Sequence, residues 1–297
     1  MIKAAIAACV LATVAEARAL RGLSSSSTSC VQLPPCSSED IVINGISYQG
    51  DSSVAAAVKA CEASATCITG KEATIDAASM KIGSCWTVFN GGKLTVASGY
   101  TGTVNAARCG KPDPSTEATA IISEGASPSA VMNTGADVVV KPGGSIGTLT
   151  LTGGEVTADE GSSISVISVT GGEVKGATGG VTSISMNGGE ADLDMGVDTA
   201  VDYVGLVSAK VRLAAKSIAT LSLTGGTADV TAKSIATLSD IGGTAVIRKA
   251  TVVDASTTGG HITLEEGATA AKYETVGGSC SGCPKSAAQW RTRKLSW

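Results

Sequence analysis

Two sets of polar residues recur at fixed spacing in the middle of the chain, and both could bind a ligand. The first consists of hydroxyl residues two positions apart, and comprises Thr148, Thr150, Thr152, Ser168, Thr170, Ser183, Ser185, Thr220, Ser222, Thr224, Thr237 and Ser239. The second comprises Glu155, Glu173 and Glu190, each directly after two glycines. Rows of hydroxyls can hydrogen-bond to an ordered surface or a polymer. Three carboxylates at successive levels could share a Ca²⁺ ion.

Both sets also have a purely structural interpretation. Ser and Thr suit the solvated side of a β-strand, and exposed glutamates can splay apart into water. Tyr203 and Val207 interrupt the hydroxyl series. Two positions beyond the glutamates the charges alternate in sign, which predicts a ladder of stabilising pairs formed by Lys175, Asp192, Arg212 and Asp229. Asp192 and Asp194 could alternatively form an acid/base set with the neighbouring basic residues.

A repeat of about 17 residues positions these side chains. The octapeptide at 215–222 recurs unchanged at 232–239. Glycine pairs follow the same period, and they are Gly153-Gly154, Gly171-Gly172, Gly188-Gly189, Gly225-Gly226, Gly242-Gly243 and Gly259-Gly260. Around each pair apolar and polar residues alternate, which predicts one strand before the pair and a shorter one after it. Glycine supplies the positive φ that a sharp corner needs.

Alignment on the glycine pairs gives columns of apolar residues that are expected to face inward. In one coil the three columns before the pair are Ile218, Leu221 and Leu223. The third column becomes polar only in the last two coils, at Asp240 and Thr257. A fixed repeat of this length indicates an all-β parallel β-helix, or β-solenoid. Helices would be broken by so many glycines, and a β-sandwich is the remaining alternative.

The periodicity of 136–265 resembles that of parallel β-helix proteins of the extracellular type, without a family-specific motif. The triplet Thr148-x-Thr150-x-Thr152 and its equivalents are similar to the ice-binding face of solenoid antifreeze proteins. The resemblance implies ice, a glycan or another extracellular polymer as partner. Polysaccharide-active enzymes of this fold line a groove with aromatic residues, which the repeat nearly lacks. The sequence at 18–21, Arg-Ala-Leu-Arg, is similar to the RxLR tetrapeptide of secreted oomycete effectors.

The chain divides into six segments. Lys3, an apolar run and the small-x-small pattern at 15–17 predict a signal peptide over 1–17, and therefore export. Residues 18–29 are predicted to be a disordered Ser-rich stretch, and 30–110 a Cys-rich N-terminal cap with a short helix. Residues 111–135 are predicted to be a connecting segment or the first irregular coils, and 136–265 the solenoid. Residues 266–297 are predicted to form a C-terminal cap with a basic tail.

Cysteine usage agrees with export. Cys9 leaves with the predicted signal peptide, and an even number remains, which predicts disulfides: Cys30, Cys36, Cys61, Cys67, Cys85, Cys109, Cys280 and Cys283. None lies within 110–279, so the bonds are expected to staple the ends and not the repeat. Cys280 is expected to pair with Cys283, or both to pin the tail, and the pairing in the cap stays open.

Composition favours binding over catalysis. Aromatic residues make up 3% of the chain, and His261 is its one histidine. A net charge of −4 gives no footprint for nucleic acid, and no later stretch is long and apolar enough for a transmembrane helix. We therefore predict a secreted, non-enzymatic structural or adhesive module with no cofactor besides the candidate Ca²⁺. Ice binding, a polysaccharide-active enzyme and a secreted effector are the alternatives, and the oligomeric state stays open.

Overall fold

A computed structural model describes residues 41–43, 46–48, 50–108, 117–196 and 198–283, and it shows an all-β parallel solenoid. The predicted signal peptide, the Ser-rich segment and the RxLR-like tetrapeptide lie outside the described residues, as does the basic tail. In the described part of the chain no helix is long and apolar enough to cross a membrane.

One α-helix, α1, spans Gly50–Glu62, and a short 3-10 turn spans Ser79–Lys81. The described strands are, in chain order, β1 (Ile41–Ile43), β2 (Ile46–Tyr48), β3 (Cys67–Thr69), β4 (Glu72–Ile75), β5 (Cys85–Phe89), β6 (Lys93–Val96), β7 (Thr103–Ala107), β8 (Thr119–Ile122), β9 (Ala130–Val140), β10 (Ser145–Val169), β11 (Glu173–Gly179), β12 (Ser183–Asn187), β13 (Glu190–Asp194), β14 (Ala200–Val207), β15 (Lys210–Ala214), β16 (Ser217–Thr224), β17 (Thr227–Thr231), β18 (Ser234–Asp240), β19 (Thr244–Arg248), β20 (Thr251–Thr258), β21 (His261–Glu265), β22 (Thr269–Val276) and β23 (Ser279–Ser281).

The strands stack into two parallel sheets. Each strand pairs with its equivalent one coil later, as β16 does with β18 and β17 with β19. The front sheet contains β3, β5, β7, β12 and the even-numbered strands from β14 to β22, and the back sheet contains β4, β6, β8, β11 and the odd-numbered strands from β13 to β23. β9 and β10 run through the corner and belong to both sheets. This parallel stacking confirms the β-solenoid and excludes the β-sandwich.

The solenoid makes about 11 turns of about 18 residues each. Coils of 17 residues dominate its second half, where Lys210 pairs with Thr227 and Thr227 with Thr244. The described coils also extend beyond the predicted 136–265, because strands from Cys67 onward already pair in the same sheets. Those early coils vary in length and contain a single doubled glycine, Gly91-Gly92, so the repeat is not visible in their sequence.

The predicted inward columns form one continuous core. Ile218, Leu221 and Leu223 are all at most 1% exposed. Asp240 and Thr257 continue the third column and are buried despite being polar. Packing between coils therefore sets the direction of a side chain even where its polarity would favour solvent.

The corner glycines allow coils to approach each other closely. At Gly226, φ is +77°, and a Cβ would overlap the carbonyl oxygen of Ala209 in the coil below. At Gly242, φ is +83° but the space beside it is open. Both positions need glycine for the backbone conformation, and only the first also needs it for space.

The helix covers the first coil, which confirms the predicted N-terminal cap with a short helix and a disulfide. Cys61 at the end of α1 is bonded to Cys67 in β3, with their Cα atoms 5.1 Å apart. These two cysteines pack with Ala57 and Phe89 in a cluster separate from the main core. A covered end protects the solenoid, because an exposed edge strand can pair with another chain.

Two further disulfide features appear among the described residues. Cys280 is bonded to Cys283 in the last coil, and Cys85 is disulfide-bonded as well. Cys30, Cys36 and Cys109 lie outside the described residues. No described cysteine lies between 110 and 279, so the repeat is held together by backbone ladders and core packing.

Candidate functional site

The sequence-predicted hydroxyl residues come together on the outer side of the front sheet. Three outward columns run through six successive coils. We call this surface the hydroxyl face, and its members are Thr148, Thr150, Thr152, Val166, Ser168, Thr170, Ser183, Ser185, Asn187, Tyr203, Gly205, Val207, Thr220, Ser222, Thr224, Thr237, Ser239 and Ile241. Alternation with buried residues turns them all to the same side, because successive side chains on a strand point to opposite faces.

Register is strict across this surface. Ser185 pairs with Gly205, Gly205 with Ser222, and Ser222 with Ser239, which forms a straight central column. Neighbouring levels of a parallel sheet are about 4.8 Å apart. Some of the hydroxyls also bond along the stack, since Thr152 Oγ1 lies 3.2 Å from Thr134 Oγ1. The face therefore offers hydroxyls at a regular interval along the axis of the solenoid.

Charge is absent from the hydroxyl face. None of its members is Asp, Glu, Lys, Arg or His. In the same columns charged side chains appear only in the last two coils, where Lys272 approaches Asp254 at 3.5 Å and Glu274 at 3.0 Å. A partner on these three columns would meet hydrogen-bonding groups and methyl groups, and the exposed Asp202 adjoins Tyr203 in β14 outside the columns.

Tyr203 interrupts the hydroxyls in a particular way. Its ring lies along its own strand, over Gly205 two residues later. A Cβ atom at position 205 would stand 2.6 Å from Cε1 and 2.7 Å from Cζ of the tyrosine. Tyr203 is 37% exposed, and Val207 on the same strand is 42% exposed. The interruption predicted from sequence is thus an aromatic ring lying along the sheet, with an aliphatic side chain beside it.

The three glutamates of the candidate cation site lie in register on the back sheet. Glu155 pairs with Glu173, and Glu173 with Glu190. Lys175 approaches Glu155 at 2.6 Å and Lys210 approaches Glu190 at 2.5 Å. The hydrogen bond from Lys175 holds the pKa of Glu155 below its usual range, and the same bond raises the pKa of Lys175.

Lysines therefore compensate much of the repulsion in this column. Among the described residues no group of three or more His, Cys, Asp or Glu is arranged to hold a metal ion. The structure favours a ladder of ion pairs at these positions, and the Ca²⁺ site stays a prediction.

The remaining back-sheet charges also pair between coils. Arg212 approaches Asp192 at 3.1 Å, and Arg248 contacts both Asp229 and Glu265. Of the four described residues of the predicted ladder, only the pair Arg212–Asp192 forms within the column, because Lys175 pairs with Glu155 and Asp229 with Arg248. Asp194, the second member of the candidate acid/base set, accepts a hydrogen bond from the backbone N–H two residues later at 2.9 Å. Each carboxylate thus has a structural partner, on an exposed sheet.

Sequence reasoning missed the acidic residues at the start of the glutamate column. Asp137 lies one coil before the first glycine pair and is in register with Glu155. Glu117 lies beside Asp137. Burial, followed by hydrogen bonding and charge from Glu117 and by the charge of Glu155, raises the pKa of Asp137 to about 6, against a lowering effect of Arg108. Extending the repeat backwards by one coil across Gly135 would have found Asp137.

His261 lies near the end of the back sheet. Its Nδ1 is 2.6 Å from Ser279 Oγ. Asp240, at the end of β18, is fully buried on the inward side. A carboxylate turned into the core cannot orient the imidazole as in a Ser-His-Asp triad, so the pair stabilises the last coils.

Comparison with known proteins leaves the fold and the surface as the basis for function. No protein-family model matches the chain, and no similar protein was found among curated sequences or solved structures.

Proposed function

We propose that this protein is a secreted, non-enzymatic adhesive or structural β-solenoid that lays its hydroxyl face against an uncharged extracellular polymer or surface. The observation that carries the proposal is the set of three in-register columns without a single charge over six coils. A rigid parallel sheet holds these columns at constant spacing, so an extended partner can be contacted at many levels together.

The distribution of charge supports an uncharged partner. Ionic residues gather on the back sheet and pair with each other, as Lys210 does with Glu190 and Arg212 with Asp192. An anionic polymer would find no basic patch on the hydroxyl face, and nucleic acid requires one. Neutral hydroxyls and amides, in contrast, can both donate hydrogen bonds to the hydroxyl groups of a polyhydroxylated partner and accept hydrogen bonds from them.

Two further features support a secreted binding module. Disulfides at both ends of the solenoid suit an oxidising compartment, in agreement with the predicted signal peptide. Both members of the candidate acid/base set have structural partners, since Asp192 pairs with Arg212 and Asp194 accepts a backbone hydrogen bond. A flat, repetitive surface suits adhesion better than it suits the chemistry of a single bond.

Ice is the second candidate partner. Thr148, Thr150 and Thr152 form one complete level of a Thr-x-Thr lattice. Tyr203 interrupts the lattice in the middle, and Ile241 ends the last level with a 50% exposed aliphatic side chain. An ordered ice surface needs a continuous flat lattice, so these residues favour a polymer.

The test uses two lysine substitutions in one coil. Ser222→Lys places a charge in the centre of the hydroxyl face, and Thr227→Lys places the same charge on the back sheet, at an exposed position. The full chain is incubated with insoluble cellulose, chitin and mannan, with an anionic pectate gel, and with growing ice crystals. We expect salt-insensitive retention on one of the neutral polymers, since exposed ionic contacts are screened by salt.

Ser222→Lys is expected to lower this retention at least tenfold, while Thr227→Lys leaves it unchanged. Circular dichroism of both variants checks that the solenoid is intact. Equal effects of the two substitutions would contradict the proposal. Salt-sensitive binding to pectate, or turnover of a polymer, would replace it by a charged-ligand or an enzymatic function, and inhibition of ice recrystallisation would select the second candidate.

A further inference from the structure

We propose that Tyr203 is a stacking platform for a pyranose ring, which makes the partner of the hydroxyl face a neutral glycan. This inference rests on the proposed function and names the chemical class of its polymer. It depends on the position of the Tyr203 ring, on the glycine beneath it, and on the hydroxyls at the adjacent levels.

The ring and the glycine fit each other as a pair. Tyr203 and Gly205 both project outward from β14, and the outer edge of the ring lies where a side chain at 205 would begin. Every other member of the central column is Ser or Thr, including Ser185 before and Ser222 after. Any of these side chains at 205 would push the ring away from the sheet.

Backbone conformation does not explain the glycine. The φ angle of Gly205 is not in the positive range, so other residues could adopt its backbone conformation. Glycine within a strand is destabilising by roughly 0.5–1 kcal/mol relative to Ala. Room for the Tyr203 ring is the one feature of the structure that accounts for this residue. The arrangement therefore holds the aromatic ring along the surface instead of letting it project into water.

A ring held in this way has the chemistry to bind a sugar. The face of an aromatic ring carries partial negative charge, and the C–H bonds of a pyranose that point to one side of the sugar carry partial positive charge. Hydroxyls at the levels above and below, at Ser185 and Ser222, can exchange hydrogen bonds with the equatorial hydroxyls of the same chain. The absence of charge on the face favours a neutral sugar over an acidic one.

Three variants of the full chain test the inference on the neutral polymer that the wild type retains, with soluble oligosaccharides of that polymer as competitors. Tyr203→Leu removes the aromatic face and should weaken binding about three- to tenfold, the range that an aromatic contact contributes. Tyr203→Phe keeps the face and should bind within about twofold of the wild type. Gly205→Ala keeps every atom of the tyrosine but displaces the ring, and should weaken binding as much as Tyr203→Leu.

The outcomes separate this inference from the proposed function. If Ser222→Lys abolishes binding while Tyr203→Leu and Gly205→Ala bind like the wild type, the hydroxyl face is functional but the stacking platform is refuted. If the wild type retains no neutral glycan and binds only ice or a protein, the inference is refuted as well. Thermal unfolding of each variant accompanies the assay. A variant that has lost the solenoid is replaced by Tyr203→Met, for which the same loss of binding is expected and wild-type binding refutes the platform.

Discussion

Asp240 is a buried carboxylate at a position where an equivalent corner of the solenoid uses an amide. Asn133 and Asp240 both face inward two residues before a corner glycine, and each accepts a hydrogen bond from the backbone N–H three residues later, at 3.0 Å from Ala136 and 2.8 Å from Gly243. The amide of Asn133 also donates to the carbonyls of Ala136 and Glu155, at 2.9 and 3.2 Å. Within the described residues, Oδ2 of Asp240 has no hydrogen-bond partner.

Asp240→Asn is therefore expected to stabilise the protein. By register, the carbonyls of Gly243 and His261 occupy the places of the two acceptors used by Asn133. A buried polar atom without a partner costs about 1–3 kcal/mol, and the new Nδ2 donor removes that cost. At about 2–4 °C per kcal/mol for a chain of this size, the melting temperature should rise by roughly 2–12 °C near neutral pH. Thermal unfolding followed by far-ultraviolet circular dichroism measures the shift.

The gain should depend on pH with a definite sign. Burial raises the pKa of Asp240 above 3.8, against the lowering effect of Gly243 and His261. A raised pKa means that the folded state favours the protonated acid, so the wild type loses stability as pH rises through the folded pKa. The advantage of Asp240→Asn is thus largest above that pKa, shrinks as pH falls from that pKa towards 3.8, and is smallest below 3.8.

The reciprocal substitution, Asn133→Asp, is the matched control. It removes the donor to Ala136 and Glu155, and should lower the free energy of unfolding by about 1–3 kcal/mol. A lower melting temperature for Asp240→Asn at neutral pH, or a gain that persists undiminished in acid, would refute the reasoning from the unpaired oxygen.

Three further predictions concern the core, the corners and the acidic column. Leu221→Ala should lower the free energy of unfolding by about 2–5 kcal/mol in denaturant titrations, because it opens a cavity in a thin core; a loss below 1 kcal/mol would contradict its inward position. Gly242→Ala should cost about 1–2 kcal/mol for its positive φ alone, whereas Gly226→Ala should cost more, since its Cβ also meets the Ala209 carbonyl; equal losses would contradict this difference. Asp137, whose folded pKa is raised to about 6, should make the wild type lose stability as pH rises from 3.8 to about 6, and Asp137→Asn should remove this dependence; an unchanged pH profile of unfolding would show that another group causes it.

Local patterning was sufficient to predict the architecture. Alternating polarity around doubled glycines defined the inward columns, and Ile218, Leu221 and Leu223 are buried where that pattern places them. This works because side-chain direction along a strand has a period of two, and because a fixed coil length brings each column into register with itself. The outward direction of Ser222 and its equivalents follows from the same two facts.

The coils between Cys67 and 135 needed the tertiary structure. Their strands pair in the same sheets, but the intervening loops differ in length, so Lys93 finds its partner Thr119 after an irregular interval. Loop length changes stability only slowly, and insertions at corners therefore leave the stacking intact while they erase the period. Asp137 was missed for a different reason, because its coil has a regular length but carries the single Gly135 in place of a glycine pair.

Which neighbouring side chain each outward residue contacts is likewise determined only by the tertiary structure. The sequence indicates that charges alternate in sign, but packing between adjacent coils decides that Lys175 pairs with Glu155 at 2.6 Å. The Tyr203 ring could project into water on sequence evidence alone, and the space above Gly205 lets it lie along the sheet. Asp240 is polar and still buried, because turning it outwards would require a one-residue shift of its strand. Such a shift would move every side chain of the strand to the opposite face. The period-two pattern dictates which way a strand faces, whereas packing in three dimensions, both between coils and at short range as for Tyr203 and Gly205, determines what each side chain contacts there.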